Sequence, residues 1–381
     1  MKKLRILNLP LELTSLEASK RYGYSMSIGL DEAFAAIGAD VVTVPALSLW
    51  PPDQAPTYWL AHLKDIIGAQ TFDQVWVEIQ YSNLPRELLE FLTTIAPVRV
   101  GLMTESRVLF RGEYDDLFAD LPTIFNKRLP YLTHVLFPDE KDVETLTDFP
   151  GVRPVFLPVF VNSQFVVDNP PPPAHDRVTF LGRLLRDRQT LLGHPALAGM
   201  VEVVEVTGEE EDYRLQHFDA ISRFFATTSA NAPRGETRVD YLRGGLQAQV
   251  EVLRSLKAHS HAIMMRAVQK GIANLNLRSF SALFSSRVVE TMAAGQCVIS
   301  YRVPERPRTN SLFEPGQEIL FFDDSNPESL AEQVSFLRSN PAARSALIRR
   351  SQAKVRAYHT TEQRLRQLLK WIETGDEPRY S

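Results

Sequence analysis

Short apolar runs alternate with helix-patterned segments along most of this chain, and that alternation limits its fold more than any other feature. Residues 4–9 and 41–44 are two such apolar runs. Between them, Ile28, Phe34 and Ile37 recur at the spacing of one helix face. A strand, a helix and a second strand in this order form a unit whose strands run parallel. The sequence therefore predicts parallel sheets covered by helices.

A run of prolines divides the chain into two such regions. Residues 169–173 are one asparagine and four prolines, which fit neither a helix interior nor a central strand and form a stiff connector. Directly afterwards, residues 178–181 start a new strand and the alternation begins again. We therefore predict an α/β fold of two doubly wound domains, residues 1–165 and 166–381. Ligand sites are expected at the carboxyl ends of the strands, facing a cleft.

A long helical region interrupts the alternation of the second domain. It spans about 213–273, after a strand-like run at residues 201–206, and a turn-like stretch at 231–235 breaks it. We interpret this region as a helical insertion.

Charge and composition exclude several classes of protein. The chain has 42 Lys+Arg against 46 Asp+Glu, a net charge of -4, so it lacks the large positive field of a nucleic-acid binder. The single cysteine, Cys297, can form neither an internal disulfide nor a zinc finger. Glu12 and Glu17 precede any signal-peptide core, and no apolar run reaches the ~18–20 residues of a membrane span. We expect a cytoplasmic protein without a transmembrane segment.

The C-terminal quarter of the chain carries a distinctive pattern. Glu290 lies on a predicted helix, small residues follow up to Gly295, and a strand leads to the phrase FEPGQEI at residues 313–319. Paired helices then end in His359 and Thr360. This order resembles the nucleotide-sugar-binding half of GT-B glycosyltransferases, in particular the branch named after the spore-maturation protein CgeB.

Two shorter phrases extend the resemblance to residues 155–370. Residues 156–162 look like the segment that closes the first domain in this family, and residues 180–183 look like the opening strand and loop of the donor domain. The resemblance implies two Rossmann-like domains facing a cleft, with the donor nucleotide on the second domain and the acceptor on the first. It also implies that the last helix, residues 362–372, packs back on the first domain.

The chain departs from the family pattern at two places. Retaining members commonly carry two glutamates eight positions apart, but the first of these positions is Ala282. CgeB-like proteins often have a His-Asp type sequence after the fourth strand, where this chain has Thr104, Glu105 and Ser106. The resemblance therefore supplies no catalytic histidine.

Basic and hydroxyl side chains are grouped where a nucleotide diphosphate would need them. Arg287 starts a predicted helix directly after two serines, so a guanidinium, hydroxyls and backbone N–H groups converge there. A carboxylate at Glu290 can accept hydrogen bonds from a ribose diol. The competing interpretations are a solvated helix residue for Glu290, a surface ion pair for Arg287, and salt bridges of Arg183 and Arg186 to Asp187. The predicted donor-binding residues are Gly182, Arg183, Arg186, Arg278, Ser285, Ser286, Arg287 and Glu290.

On the first domain, two features face the expected cleft. Gly23, in a loop with Tyr24 and Ser25, allows a ligand to approach the backbone, although it can equally be a simple turn. Glu105 follows a buried-type strand and is the candidate catalytic base for an acceptor hydroxyl. Its alternative role is to cap a helix or to pair with Arg107.

No metal ion is expected. The pairs at residues 115–116 and 323–324 are neighbouring aspartates, which can chelate Mg²⁺, but they lie at a helix entry and in a loop, and the resembling family stabilises its leaving group without metal. His259 and His261 are two residues apart and do not share a helix face, which disfavours a zinc site.

Together these features predict a glycosyltransferase that uses a nucleotide-diphosphate sugar, needs no metal or other cofactor, and retains the anomeric configuration. The acceptor could be a glycan, a protein or a small molecule, and the acidic net charge disfavours nucleic acid. Two alternatives stay open: a nucleotide-sugar epimerase of the same fold, and a non-catalytic GT-B-like protein that binds a sugar nucleotide.

Overall fold

The computed structural model describes residues 3–10, 28–45, 56–79, 84–107, 121–146, 148–182, 184, 186–204, 227–228, 230–235, 237–279 and 281–380. Within these ranges lie two parallel β-sheets, one in each half of the chain.

The first sheet has the strand order β2-β1-β3-β4-β5-β6, and every neighbouring pair is parallel. Its strands are β1 Arg5–Leu9, β2 Asp40–Thr43, β3 Gln74–Glu78, β4 Val98–Leu102, β5 His134–Phe137 and β6 Arg153–Phe156. The helices of this half are α1 Ile28–Ala36, α2 Pro56–Ile67, α3 Arg86–Ile95, α4 Leu121–Arg128 and α5 Glu140–Thr145. The order reverses between β1 and β3, so the carboxyl ends of these two strands flank a crevice.

Helices bury both faces of the first sheet. Every position of β3 is buried, which explains why the central strands appear in the sequence as continuous apolar runs. Helix α3 shows the matching pattern, because Leu88, Leu89, Leu92 and Ile95 form its buried face at helical spacing.

The second sheet has the order β11-β10-β9-β7-β8, again with parallel neighbours. Its strands are β7 Val178–Leu181, β8 Val201–Val204, β9 Ala273–Asn276, β10 Cys297–Tyr301 and β11 Leu320–Phe322. The helices are α6 Arg186–Leu192, α7 Thr237–Val268, α8 Arg287–Ala293, α9 Pro307–Asn310, α10 Pro327–Ser339, α11 Pro341–Lys354 and α12 Thr361–Thr374. Here the order reverses between β7 and β9, and this reversal places a second crevice at their carboxyl ends.

Helix α7 contacts both halves of the molecule. Near its start, Leu242 and Leu246 pack into the hydrophobic cluster of the first domain. Near its end, Met265 and Val268 pack against residues of the second domain. With 32 residues at 1.5 Å per residue, the helix is about 48 Å long. It lies within the predicted insertion of 213–273, whose residues up to 226 fall outside the described ranges, and its packing on the first domain was not predicted.

Helix α12 returns to the first domain. Leu365, Leu368 and Trp371 belong to the same hydrophobic cluster as Ile6 and Phe34. Two long-range elements therefore join the halves, α7 and α12. No helix within the described ranges combines the length and the apolar character needed to cross a membrane.

Candidate active site

The most conspicuous pair of polar side chains in the second domain is Arg287 and Glu290 on helix α8. Glu290 is fully buried, and its Oε2 lies 3.1 Å from Nη1 of Arg287. Neither Oε1 of Glu290 nor Nε of Arg287 has a hydrogen-bond partner within the described part of the chain. Buried polar atoms are normally satisfied, so these two atoms are free to bind a ligand. The interpretation of Glu290 as a solvated helix residue is wrong, since its side chain has no exposed surface.

A histidine from helix α7 completes this cluster. His261 is buried, and burial lowers its pKa, while Glu290 acts to raise that pKa and Arg287 to lower it. Its ring stacks on Phe165, with the centroids 3.9 Å apart. From the sequence, His261 was a candidate only for a zinc site, which its spacing from His259 disfavours. Its spacing of four and seven residues from the buried Met265 and Val268 was the signal that it faces the second domain.

The hydroxyl of Ser285, just before α8, belongs to a hydrogen-bonded network with residues of β9 and β10. The Ser285 hydroxyl donates to Oδ1 of Asn276 at 2.7 Å, and Nδ2 of Asn276 donates to the Ser300 hydroxyl at 2.8 Å. Ser286 is the N-cap residue of α8, and its side chain makes no capping hydrogen bond. Its hydroxyl is therefore not committed to the helix.

Two arginines lie at the carboxyl edge of the second sheet. Arg278 follows β9, and its Nη1 lies 3.9 Å from Oδ2 of Asp324. Nε of Arg188 donates to the backbone carbonyl oxygen of Arg278 at 2.8 Å, so the Arg188 side chain reaches the segment that follows β9. Arg188 could not be predicted from the sequence, because a basic residue inside an exposed helix has no distinctive pattern.

The remaining predicted donor-binding residues lie in the loop after β7. Gly182 is exposed, and a Cβ atom there would lie 3.2 Å from the Phe180 ring, a tight contact for any side chain. Arg183 lies outside the described residues, and Arg186 begins α6 with a side chain that is not described. Their predicted salt bridge to Asp187 therefore stays a prediction.

On the first domain, Glu105 follows β4 and reaches the second domain. Its Oε2 accepts a hydrogen bond of 2.8 Å from the Ser281 hydroxyl. Burial raises the pKa of Glu105 to about 7, and the hydrogen bond from Ser281 opposes that rise. A carboxyl group with such a pKa can exchange a proton near neutral pH. Gly23, Tyr24 and Ser25 lie outside the described residues.

A buried ion pair joins the two domains beside Glu105. Nε and Nη2 of Arg306 both bind the carboxylate of Asp139, the second contact at 2.9 Å. The hydroxyl of Ser106 donates to the same carboxylate at 2.8 Å. One residue further on, Oε2 of Glu140 accepts a hydrogen bond from the backbone N–H of Thr309. The carboxyl edges of the two sheets are thus in direct contact.

The aspartate pairs considered for a metal have other surroundings. Asp323 accepts hydrogen bonds from the backbone and hydroxyl of Ser325, and Asp324 lies near Arg278. The pair at residues 115–116 lies outside the described residues. Within the described ranges, no three His, Cys, Asp or Glu side chains are grouped so that they could hold a metal ion.

Comparison with known proteins places this geometry in context. A protein-family model described as glycosyl transferase-like matches residues 235–370, the region that contains α7, Arg287 and Glu290. No curated protein sequence matches the chain.

Solved structures resemble the whole chain. Sucrose-phosphate synthase from Thermosynechococcus elongatus aligns over 98% of this chain and 100% of its own, at 12% identity and a TM-score of 0.59. A glycosyltransferase from Rickettsia africae ESF-5 aligns over 98% of both chains, at 11% identity and a TM-score of 0.55. Anabaena HepE, solved in complex with UDP and glucose, aligns over 97% of this chain and 100% of its own, at 12% identity and a TM-score of 0.50.

These similarities and the two parallel sheets define the fold as GT-B, with two Rossmann-like domains facing each other. The predicted fold class is confirmed.

Proposed function

We propose that this protein is a glycosyltransferase that moves a sugar from a nucleotide-diphosphate sugar to an acceptor hydroxyl. The observation that carries the proposal is the pair of the half-buried Arg287 and the fully buried Glu290, in which one nitrogen of the cation and one oxygen of the anion have no hydrogen-bond partner within the described part of the chain. The matching glycosyl transferase-like model covers this pair, and a structural neighbour was solved with UDP and glucose.

The arginines of this edge suit the leaving group. Transfer leaves a nucleoside diphosphate, and the charge that develops on its phosphates in the transition state must be stabilised. Arg287, Arg278 and Arg188 can provide three guanidinium groups for it. Guanidinium groups bind phosphate oxygens through paired, charge-assisted hydrogen bonds. We propose that these side chains perform the task without a metal ion.

Glu290 suits the nucleoside. Its unsatisfied Oε1 can accept a hydrogen bond from a ribose hydroxyl, while Oε2 stays paired with Arg287. The pattern around Glu290 also supports placing the chain in the CgeB-like branch. The resemblance of this half to retaining enzymes supports retention at the anomeric carbon, which the anomeric coupling constant of the product would test.

Glu105 is the candidate base for the acceptor hydroxyl. Its carboxylate lies at the carboxyl edge of the first sheet and meets the second domain at Ser281. We propose that it accepts the proton of the attacking hydroxyl. We propose a glycan, a protein or a small molecule as the acceptor; the charge of residues 1–165, with 14 Lys+Arg against 21 Asp+Glu, disfavours nucleic acid.

The donor site predicts a specific loss of affinity. Nucleoside diphosphates should bind without metal. Glu290→Ala and Arg287→Ala should each lower the affinity for the nucleoside diphosphate that the parent binds, by about tenfold to hundredfold. Each substitution removes a hydrogen bond to a charged group, worth roughly 1.5–3 kcal/mol. Calorimetry with a panel of nucleoside diphosphates in EDTA measures the loss.

Glu332→Ala is the matched control, because Glu332 is exposed on α10. It should leave affinity unchanged. Binding that survives both site substitutions would reject the site, and no binding by any diphosphate would reject the function. Acceptor-dependent release of nucleoside diphosphate identifies a transferase, while an epimerised sugar nucleotide or binding without turnover identifies the two alternatives.

A further inference from the structure

The contact between Ser281 and Glu105 crosses the cleft. Ser281 lies in the second domain after β9 and is buried, and Glu105 belongs to the first domain, 176 residues earlier. A serine hydroxyl that donates to a carboxylate stabilises the ionised form of that carboxylate. Burial acts in the opposite direction, since it favours the neutral acid. The state of Glu105 therefore depends on a group that only the other domain supplies.

The charged groups of the neighbouring residues have other partners. On the first domain, Oδ2 of Asp142 accepts a hydrogen bond of 2.8 Å from the backbone N–H of Arg107. The Arg107 guanidinium lies over the Phe125 ring, 4.8 Å from its centroid. On the second domain, Arg306 binds Asp139 and so is already neutralised. Glu140 accepts from the backbone of the second domain.

We propose that Ser281 is the positioning residue for Glu105, so that the second domain orients the acceptor-side carboxylate through the Ser281 hydroxyl when the two domains meet. This inference rests on the proposed function and deepens it, since it ties acceptance of the acceptor proton to contact between the domains. In this proposal Ser281 acts through Glu105 and not on the substrate. Domain closure around the donor would then orient the base, and the Ser281 hydrogen bond would oppose the rise in the pKa of Glu105 that burial causes.

The test measures the ionisation of Glu105 in the ligand-free protein. Melting temperatures are compared between each protein and its Glu105→Gln form from pH 4 to pH 9. The pKa of Glu105 is about 7 in the folded chain against an ordinary 4.5, so the folded state keeps a proton that the unfolded state releases. The ionised group therefore destabilises the fold increasingly from about pH 4.5 to 7. Over this window Glu105→Gln should gain stability relative to its parent, and above it the gain should level off.

In a Ser281→Ala background, the pH at which the stability gain of Glu105→Gln levels off should rise by about 0.5–1 pH unit. This rise is the equivalent of one lost hydrogen bond. Ser281→Thr retains a hydroxyl and should restore the original position. Ser311→Ala is the matched control, because its exposed hydroxyl donates to the backbone of Arg308 in the same domain. It should leave the curve unchanged.

If the stability gain of Glu105→Gln has the same pH dependence in the Ser281→Ala background as in the parent, the proposal is overturned. If that variant does not fold, Ser281→Cys keeps the volume with a weak donor, and a curve that does not move in this variant has the same consequence. The failure of the proposed function is separate, because it appears in nucleoside diphosphate calorimetry and not in these ligand-free melts. Diphosphate binding with an unmoved curve rejects only the role of Ser281.

Discussion

Replacing Arg306 with alanine is expected to lower the free energy of unfolding by about 3–5 kcal/mol, the cost of leaving one partner of a buried ion pair without the other. The side chain of Arg306 is 7% exposed and that of Asp139 is 0% exposed. The hydroxyl of Ser106 and the backbone N–H of Lys141 would still donate to Asp139, but no cation would remain beside it. Thermal and denaturant unfolding of the two proteins measures the difference.

Arg308→Ala is the matched control, two residues further on. Arg308 forms an ion pair of 2.7 Å with Glu377, but here the two side chains are 39% and 56% exposed. Exposed pairs contribute about 0–1 kcal/mol, so this variant should melt close to the parent. Equal losses in the two variants would show that burial at the domain contact does not set the energy of the Arg306 pair.

The contrast between these two arginines also shows what the sequence could not predict. Both lie in one short segment of similar composition, and nothing in the local pattern distinguishes them. Arg306 meets its partner 167 residues away, across two domains. Such a partner depends on how the sheets are oriented, and hydrophobic periodicity carries no information about orientation.

The fold itself was predictable, because parallel strands buried on both faces leave a strong signal. Strand β3, buried at every position, and helix α3, with its apolar face, each appear in the sequence with their proper periods. Helix α7 is the exception. Its helical pattern is clear, but Leu242 and Leu246 pack into the core of the other domain. The sequence of an apolar helix face does not predict which surface will cover it.

The same limit applies to the candidate site. Arg287 and Glu290 were predictable, since they lie three residues apart on one helix and therefore on one face. His261, Arg188 and Ser281 reach the site from other elements. Each looks ordinary in its own segment, so only the folded chain shows what it contacts.

Replacing Glu105 with glutamine should reduce kcat/KM for transfer by about 10²–10⁴, the usual contribution of a general base. Glutamine has almost the same size and keeps an oxygen that can accept the Ser281 hydrogen bond, but it cannot accept a proton. Because Glu105 must be ionised to act, the activity of the parent should rise with pH through about 7 and then level off. The variant should lose that rise. Nucleoside diphosphate release, followed across pH 5–9, measures both effects.

Glu140→Gln separates a catalytic effect from the loss of any buried carboxylate at this edge. Glu140 is buried at the domain contact, and burial raises its pKa, but its Oε2 accepts a hydrogen bond from the backbone N–H of Thr309. This variant should keep the activity of the parent and its rise near pH 7. Both variants should bind nucleoside diphosphate as the parent does, because the proposed donor site lies on the other domain. A Glu105→Gln protein with full activity would place the proton acceptor elsewhere.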